Sequence, residues 1–186
     1  MLAIPLWYIA AQVMALAALP LAVRLFRFLP DRGYFFAKPL GILLPSYLLW
    51  LLMLFGILGN DVVSVALLVL AVGLACWIWL PGGRADVIAL WRSQRVLIIF
   101  YELLFAVALV VWAVVRAYAP KIAGTEKPME FAFLNSILRS PQFPPVDPWL
   151  AGYSISYYYF GYIMVAALTH LSGIASSVAV NLALAL

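Results

Sequence analysis

Apolar residues run along this chain in blocks long enough to cross a bilayer, separated by short polar connections. A spanning helix needs roughly 20 predominantly apolar residues to cross about 30 Å of hydrocarbon. Residues 2–28, 40–59, 62–80, 96–118 and 153–171 each meet that requirement. A sixth apolar run begins near Ile174 and is still apolar at Leu186, as expected of a fragment or of the first part of a longer protein. The pattern predicts an all-α fold, a polytopic transmembrane bundle of five full spans plus a truncated sixth. It divides the chain into a four-helix region at 1–118, a loop at 119–152, and the fifth span with the start of the sixth at 153–186. Pro5, Pro20 and Pro45 are expected near segment ends or in first turns, where a missing N–H costs least. The first run continues from Leu2 to Val23 with no basic stretch before it, too long for the core of a secretory signal. It reads as a retained span.

The polar connections set the expected topology. Arg24, Arg27, Arg32 and Lys38 follow the first span, and Arg84, Arg92 and Arg95 follow the third. Between them lies a tight turn at Asn60 and Asp61 with no basic residue. Basic connections tend to stay in the cytoplasm. This predicts a multi-pass protein of the cell membrane with its N-terminus and loop 119–152 extracytoplasmic. Seven of the eleven basic residues then fall inside, and Arg116, Lys121, Lys127 and Arg139 fall outside.

Composition agrees with lipid as the solvent. Hydrophobic residues make up 68% of the 186 residues and charged residues 10%, with a mean hydropathy of +1.11. Soluble domains are about half apolar and a quarter charged. The net charge of +4 is spread over connections between spans, so it marks topology beside a bilayer and excludes a nucleic-acid surface. The single cysteine, Cys76, allows no intrachain disulfide.

The candidate chemistry lies in the loop APKIAGTEKPMEFAFLNSILRSPQFPPVDPWLAG, residues 119–152, which holds three of the seven acidic residues. Thr125 is a suitable helix cap and Pro128 fits a first turn. Phe131, Phe133, Leu134, Ile137 and Leu138 then give a short helix an apolar face that can lie along the bilayer. Glu126 and Glu130, four apart, share one face of that helix. They can hold Mg²⁺ or Mn²⁺ or act as a general base; the commoner reading of acids at a helix start is that they complement the helix dipole. Pro141, Pro144, Pro145 and Pro148 make the second half a stiff strap, which can aim Asp147 and Trp149 at a site or serve as a plain returning linker with Trp149 as an interface anchor.

Tyrosines follow at Tyr153, Tyr157, Tyr158, Tyr159 and Tyr162. A belt at the interface accounts for one or two of them. Three in succession, read as helical, face three directions, so at least one faces the protein interior or a wet cavity. His170 reads as a polar contact near the end of the fifth span. Glu102 is an intramembrane acid, functional by default or paired with a nearby arginine such as Arg95. Walker, dinucleotide, zinc and nucleophile-elbow motifs are absent from the sequence.

The run TEKPMEFAFLNSILRSPQFPPVDPWLAGYSISYYYFGY resembles the signature of the YYY membrane protein family, uncharacterised polytopic proteins of archaea and bacteria. That family is in turn similar to the C-type glycosyltransferases, polytopic enzymes that take a sugar from a polyprenyl-phosphate donor on the extracytoplasmic face. There an early external loop starts with an acidic residue, continues as a membrane-parallel helix and returns through a Pro-rich strap. The resemblance implies a catalytic or metal-linked role for Glu126, with Glu130 or Asp147 in support. It implies donor contacts from Lys127 and Arg139, and sugar or isoprenoid contacts from Trp149, Tyr157, Tyr158 and Tyr159. The expected partners are the lipid bilayer and the polyprenyl-phosphate-linked donor. The superfamily often has Asp where this chain has Glu126, and its loop usually follows the first span. The alternatives are a transporter or flippase component, or a non-catalytic scaffold.

Overall fold

In a computed structural model that describes residues 2–124 and 126–186, the chain is helical through most of its apolar runs. Helix α1 spans Ala3–Leu25 and α2 Ala37–Leu54, the latter entered through a 3₁₀ turn at Tyr34–Phe36. Helix α3, Val62–Leu74, continues as a π turn over Ala75–Trp79. Helix α4 covers Gly83–Tyr118, followed by α5, Lys127–Arg139, α6, Phe160–Ser172, and α7, Ser176–Ala183. Four segments are long and apolar enough to cross a membrane: Ala3–Leu25, Tyr34–Leu54, Val62–Trp79 and Gly83–Tyr118.

Helix α1 is the axis of the bundle. Trp7, Ala11, Met14 and Ala18 are fully enclosed, and its many alanines let neighbours approach closely. In lipid, where burial of apolar surface gains little, such close packing is what joins helices. Gly41 of α2 makes the closest approach: a Cβ there would stand 2.2 Å from the Met14 carbonyl oxygen. Pro45 lies in the middle of α2, not near an end as expected. Pro20 is likewise inside α1. Packing against neighbouring helices offsets the lost backbone bonds. Helix α4 is the least enclosed and turns Leu103, Leu104, Val107 and Val111 outward. It is kinked at Gln94, which breaks helical geometry with φ −129° and ψ 17°, so the polar stretch 83–93 runs at an angle to the apolar remainder.

The two ends of the bundle are distinct. At the arginine end, Arg24 donates to the Pro81 carbonyl and pairs with Asp86 at 3.5 Å, joining the two basic connections. At the loop end, Asn60 donates to the Ile137 carbonyl of α5 at 2.5 Å, and Ala3 and Ile4 share a cavity wall with Arg116 and Asn181. The N-terminal end of α1, the Asn60 turn and the loop therefore lie together, as the topology requires.

The expected fifth span takes a different form. Residues before Phe160 are not helical, and α6 has 13 residues, about 20 Å at 1.5 Å per residue and short of the hydrocarbon thickness. Its first residue, Phe160, packs edge-on against Tyr47 and Trp50 in the second half of α2. Its last turn sets His170 Nε2 3.2 Å from Asn60 Oδ1. Both ends of α6 thus contact the loop-end half of the bundle, and the chain leaves it where it entered. The start of α7 stays there too, with Ser176 donating to Asn135 Oδ1 at 2.8 Å.

Candidate functional site

The loop folds from α5 outward. Pro128 sits at the start of the helix as its missing N–H allows, and Glu126 occupies the cap position without a side-chain capping bond. The cap expected from Thr125 lies outside the described residues. Phe133, Leu134 and Ile137 bury the apolar face. The proline strap then doubles back on α5. Ser136 Oγ donates to the Val146 carbonyl, and Ser140 Oγ accepts from the Val146 N–H at 3.4 Å. Val146 pairs antiparallel with Ser154, and Ile155 N–H donates to the Pro145 carbonyl at 2.9 Å.

Phe133 becomes the hub of an aromatic cluster. Trp149 meets it edge-on at 5.7 Å, Tyr162 edge-on at 5.9 Å, and Tyr157 at a tilt at 5.8 Å. Tyr157 and Tyr158 stack with ring centroids 3.9 Å apart. Tyr157 donates to the Tyr158 hydroxyl at 2.6 Å. Successive residues of a helix diverge by about 100°, so this stacking requires the non-helical backbone found here in place of the expected helix. The hydrogen bond to Tyr158 pushes the Tyr157 phenol up to about 12, with the charge of Glu126 adding to the effect. At neutral pH Tyr157 keeps its proton and donates it in the hydrogen bond to Tyr158. Burial raises the Tyr162 phenol above its ordinary value, and the charges of Glu130 and Glu126 add to the effect. Trp149 is 62% exposed and Tyr158 73% exposed, leaving the cluster an open aromatic face.

Three expected residues lie apart from this cluster. Arg139 is at the far end of α5, thirteen residues or about 20 Å along the helix from Glu126. There it lines a groove of about 680 Å³ with Asn135, Ser136 and Val146. Asp147 is a turn former: its Oδ1 accepts from the Trp149 and Leu150 N–H groups at 2.8 and 2.9 Å. Tyr159 turns inward, its hydroxyl accepting from Trp50 Nε1 at 3.1 Å. The structure instead gathers Trp149, Tyr157 and Tyr162 around a phenylalanine that the sequence reading placed only on an apolar face, with Tyr158 against Tyr157 and with Glu126, Lys127 and Glu130 at the start of the same helix. The signal was present: Glu126, Glu130 and Phe133 follow the helical i, i+4, i+7 spacing.

Glu102 has a different partner from the one expected. It accepts from Lys38 Nζ, from Tyr34 Oη at 2.7 Å and from Tyr8 Oη at 2.7 Å. Lys38 also stands 4.6 Å from the Phe105 ring centroid. Arg95 lies on Glu102's own helix about two turns away, next to the Gln94 kink, whereas Lys38 reaches Glu102 from the first turn of α2. An intramembrane acid next to a lysine at the start of a neighbouring span was the available clue.

These features define a polytopic α-helical membrane protein with a carboxylate-and-aromatic cluster gathered at one end. The chain belongs to the family described as "Uncharacterized membrane protein (DUF2298)", whose model matches residues 44–186. No curated protein and no solved structure matches the chain.

Proposed function

We propose that this protein is a membrane glycosyltransferase of C-type architecture, transferring a sugar from a polyprenyl-phosphate donor at the extracytoplasmic face. The observation that carries the reading is a pair of carboxylates, Glu126 at the cap of α5 and Glu130 in its first turn, on the helix whose Phe133 gathers the rings that leave Trp149 and Tyr158 exposed. A sugar stacks on aromatic faces through its C–H surface and presents hydroxyls at its edge. A carboxylate beside such a platform serves as general base. In the transfer, Glu126 takes the proton of the acceptor hydroxyl as its oxygen bonds to the anomeric carbon. The bond from that carbon to the phosphate oxygen breaks, and the phosphate leaves with the electron pair. Lys127, beside Glu126, offsets the charge that develops there. The Tyr158 hydroxyl accepts the hydrogen bond of Tyr157 and keeps its own proton to hold a sugar oxygen. Asp147 shapes the strap that presents Trp149.

Mg²⁺ or Mn²⁺ fits this donor set, because such ions bind through one or two carboxylates and complete their shell with water and substrate phosphate. Among the described residues no three His, Cys, Asp or Glu side chains come together, so Glu126 and Glu130 would be the protein's share. A bound ion would supply charge neutralisation of the leaving phosphate. The transporter reading draws in part on Glu102 as a pathway residue, and that carboxylate is occupied by Lys38 and two tyrosines.

The test is sugar transfer from radiolabelled polyprenyl-phosphate hexoses in membranes carrying the full-length protein. The parent transfers label and Glu126→Gln does not, while both insert equally. Unchanged transfer by Glu126→Gln would remove the catalytic assignment. Absence of transfer by either, with several donors and confirmed insertion, would count against the enzyme.

A further inference from the structure

At the arginine end, away from the loop site, the turn after α1 folds under the bundle. Arg24 in the last turn of α1, Arg27 just beyond it and Arg32 in the returning loop line a cavity of about 320 Å³ with Val23 and Asp86. Arg24 is committed to Asp86 and the Pro81 carbonyl. Among the described residues Arg27 and Arg32 have no side-chain hydrogen bond or ion pair, so the cavity keeps a net positive charge.

The loop is built to hold this shape. Asp31 is buried, and its carboxylate accepts from the Gly33 N–H at 3.1 Å and the Phe35 N–H at 2.8 Å. Arg32 has φ +50°, the left-handed region, and is the non-glycine residue found there among those described. Glycine would take that conformation without strain. An outlier that places an unpaired arginine on a cavity wall points to a binding role.

The surroundings place the cavity at headgroup depth. Phe28 and Trp79 are about three-quarters exposed and Trp91 is half exposed, as aromatic side chains are at the membrane–water interface. Leu25 and Ile88 add exposed apolar surface beside it. Basic pockets between helices, flanked by apolar surface, suit lipid phosphate groups. Guanidinium forks match phosphate oxygens in pairs.

We propose that this cavity binds the phosphate of an anionic phospholipid headgroup, with Arg27 and Arg32 as its ligands and Arg24, held by Asp86, as the fixed wall. The proposal is independent of sugar transfer.

The test is native mass spectrometry of the full chain released from nanodiscs of phosphatidylglycerol mixed with phosphatidylcholine. The parent retains phosphatidylglycerol in preference. The double variant Arg27→Gln/Arg32→Gln loses that retention about tenfold. The control Arg92→Gln/Arg95→Gln, which removes the same charge elsewhere at the same end, stays within about twofold. Arg32→Gly separates binding from folding: retention falls while thermal stability holds or rises, because glycine relieves the left-handed strain. Equal losses in both double variants, or no preference of the parent for phosphatidylglycerol, would overturn the site. Glycerol 3-phosphate, added as the soluble arm, should not displace the lipid at millimolar concentration. Displacement would overturn the lipid assignment in favour of a free phosphate ester.

Discussion

Lys38 and Glu102 show how a charge is tolerated inside this bundle. Their side chains are 14% and 19% exposed, and the carboxylate's remaining capacity is taken up by the hydroxyls of Tyr8 and Tyr34. Removing one member of such a pair strands the other, at about 3–5 kcal/mol, whereas replacing both with apolar residues is close to neutral. Glu102→Gln should therefore destabilise the protein in nanodiscs more than the double variant Lys38→Met/Glu102→Leu, as read by thermal unfolding. The reverse order would mean that the pair is not a structural clamp. Asp147 carries a second prediction. Asparagine keeps the oxygen that accepts from the Trp149 and Leu150 N–H groups, so Asp147→Asn should retain most sugar transfer and Asp147→Ala should loosen the strap by about 1–2 kcal/mol. Loss of transfer in Asp147→Asn, with the fold intact, would restore a chemical role to this carboxylate. At this scale the sequence identified residue types well and partners poorly. Glu102 was recognisable as an exceptional acid, but Lys38 counted as part of a basic connection because its span begins four residues before it, at Tyr34.

The four long spans were legible from apolar run length, although the polar first part of α4, residues 83–95, read as a connection; the short elements were legible where local chemistry was strong. Helix α5 follows from Pro128 and the apolar spacing after it, and the strap follows from its prolines. The run 153–171 misled because apolar content does not distinguish an extended tyrosine segment plus a short helix from a single span. What decides is tertiary: Phe160 against Trp50, and His170 against Asn60. The interior position of Pro45 was hidden for a related reason, since helix α2 begins earlier than its apolar run. Close packing of α1 on α2 rests on Gly41. Gly41→Ala puts a Cβ 2.2 Å from the Met14 carbonyl oxygen, and the helices must separate. A loss of about 1–3 kcal/mol is expected, visible as a lower unfolding temperature in detergent. An unchanged unfolding temperature would show that this contact does not limit the bundle.

At the scale of the whole molecule the charge distribution along the sequence sorted the connections into two groups, and the structure keeps them at opposite ends. One end gathers arginines around a cavity; the other gathers the carboxylates and aromatic rings of the loop. Absent from the sequence was any sign that α6 returns to the loop end, which brings His170, Ser176 and the Asn60 turn around α5 and encloses the back of the aromatic cluster. This gathering at one end is the central structural claim, and cysteine accessibility in intact cells tests it directly. With buried Cys76 replaced by alanine, Gln142→Cys in the strap and Ala175→Cys between α6 and α7 should react with the same membrane-impermeant reagent from the same side. Arg92→Cys should react only after permeabilisation. Labelling of Ala175→Cys together with Arg92→Cys, and apart from Gln142→Cys, would mean that α6 crosses the membrane and would contradict the account.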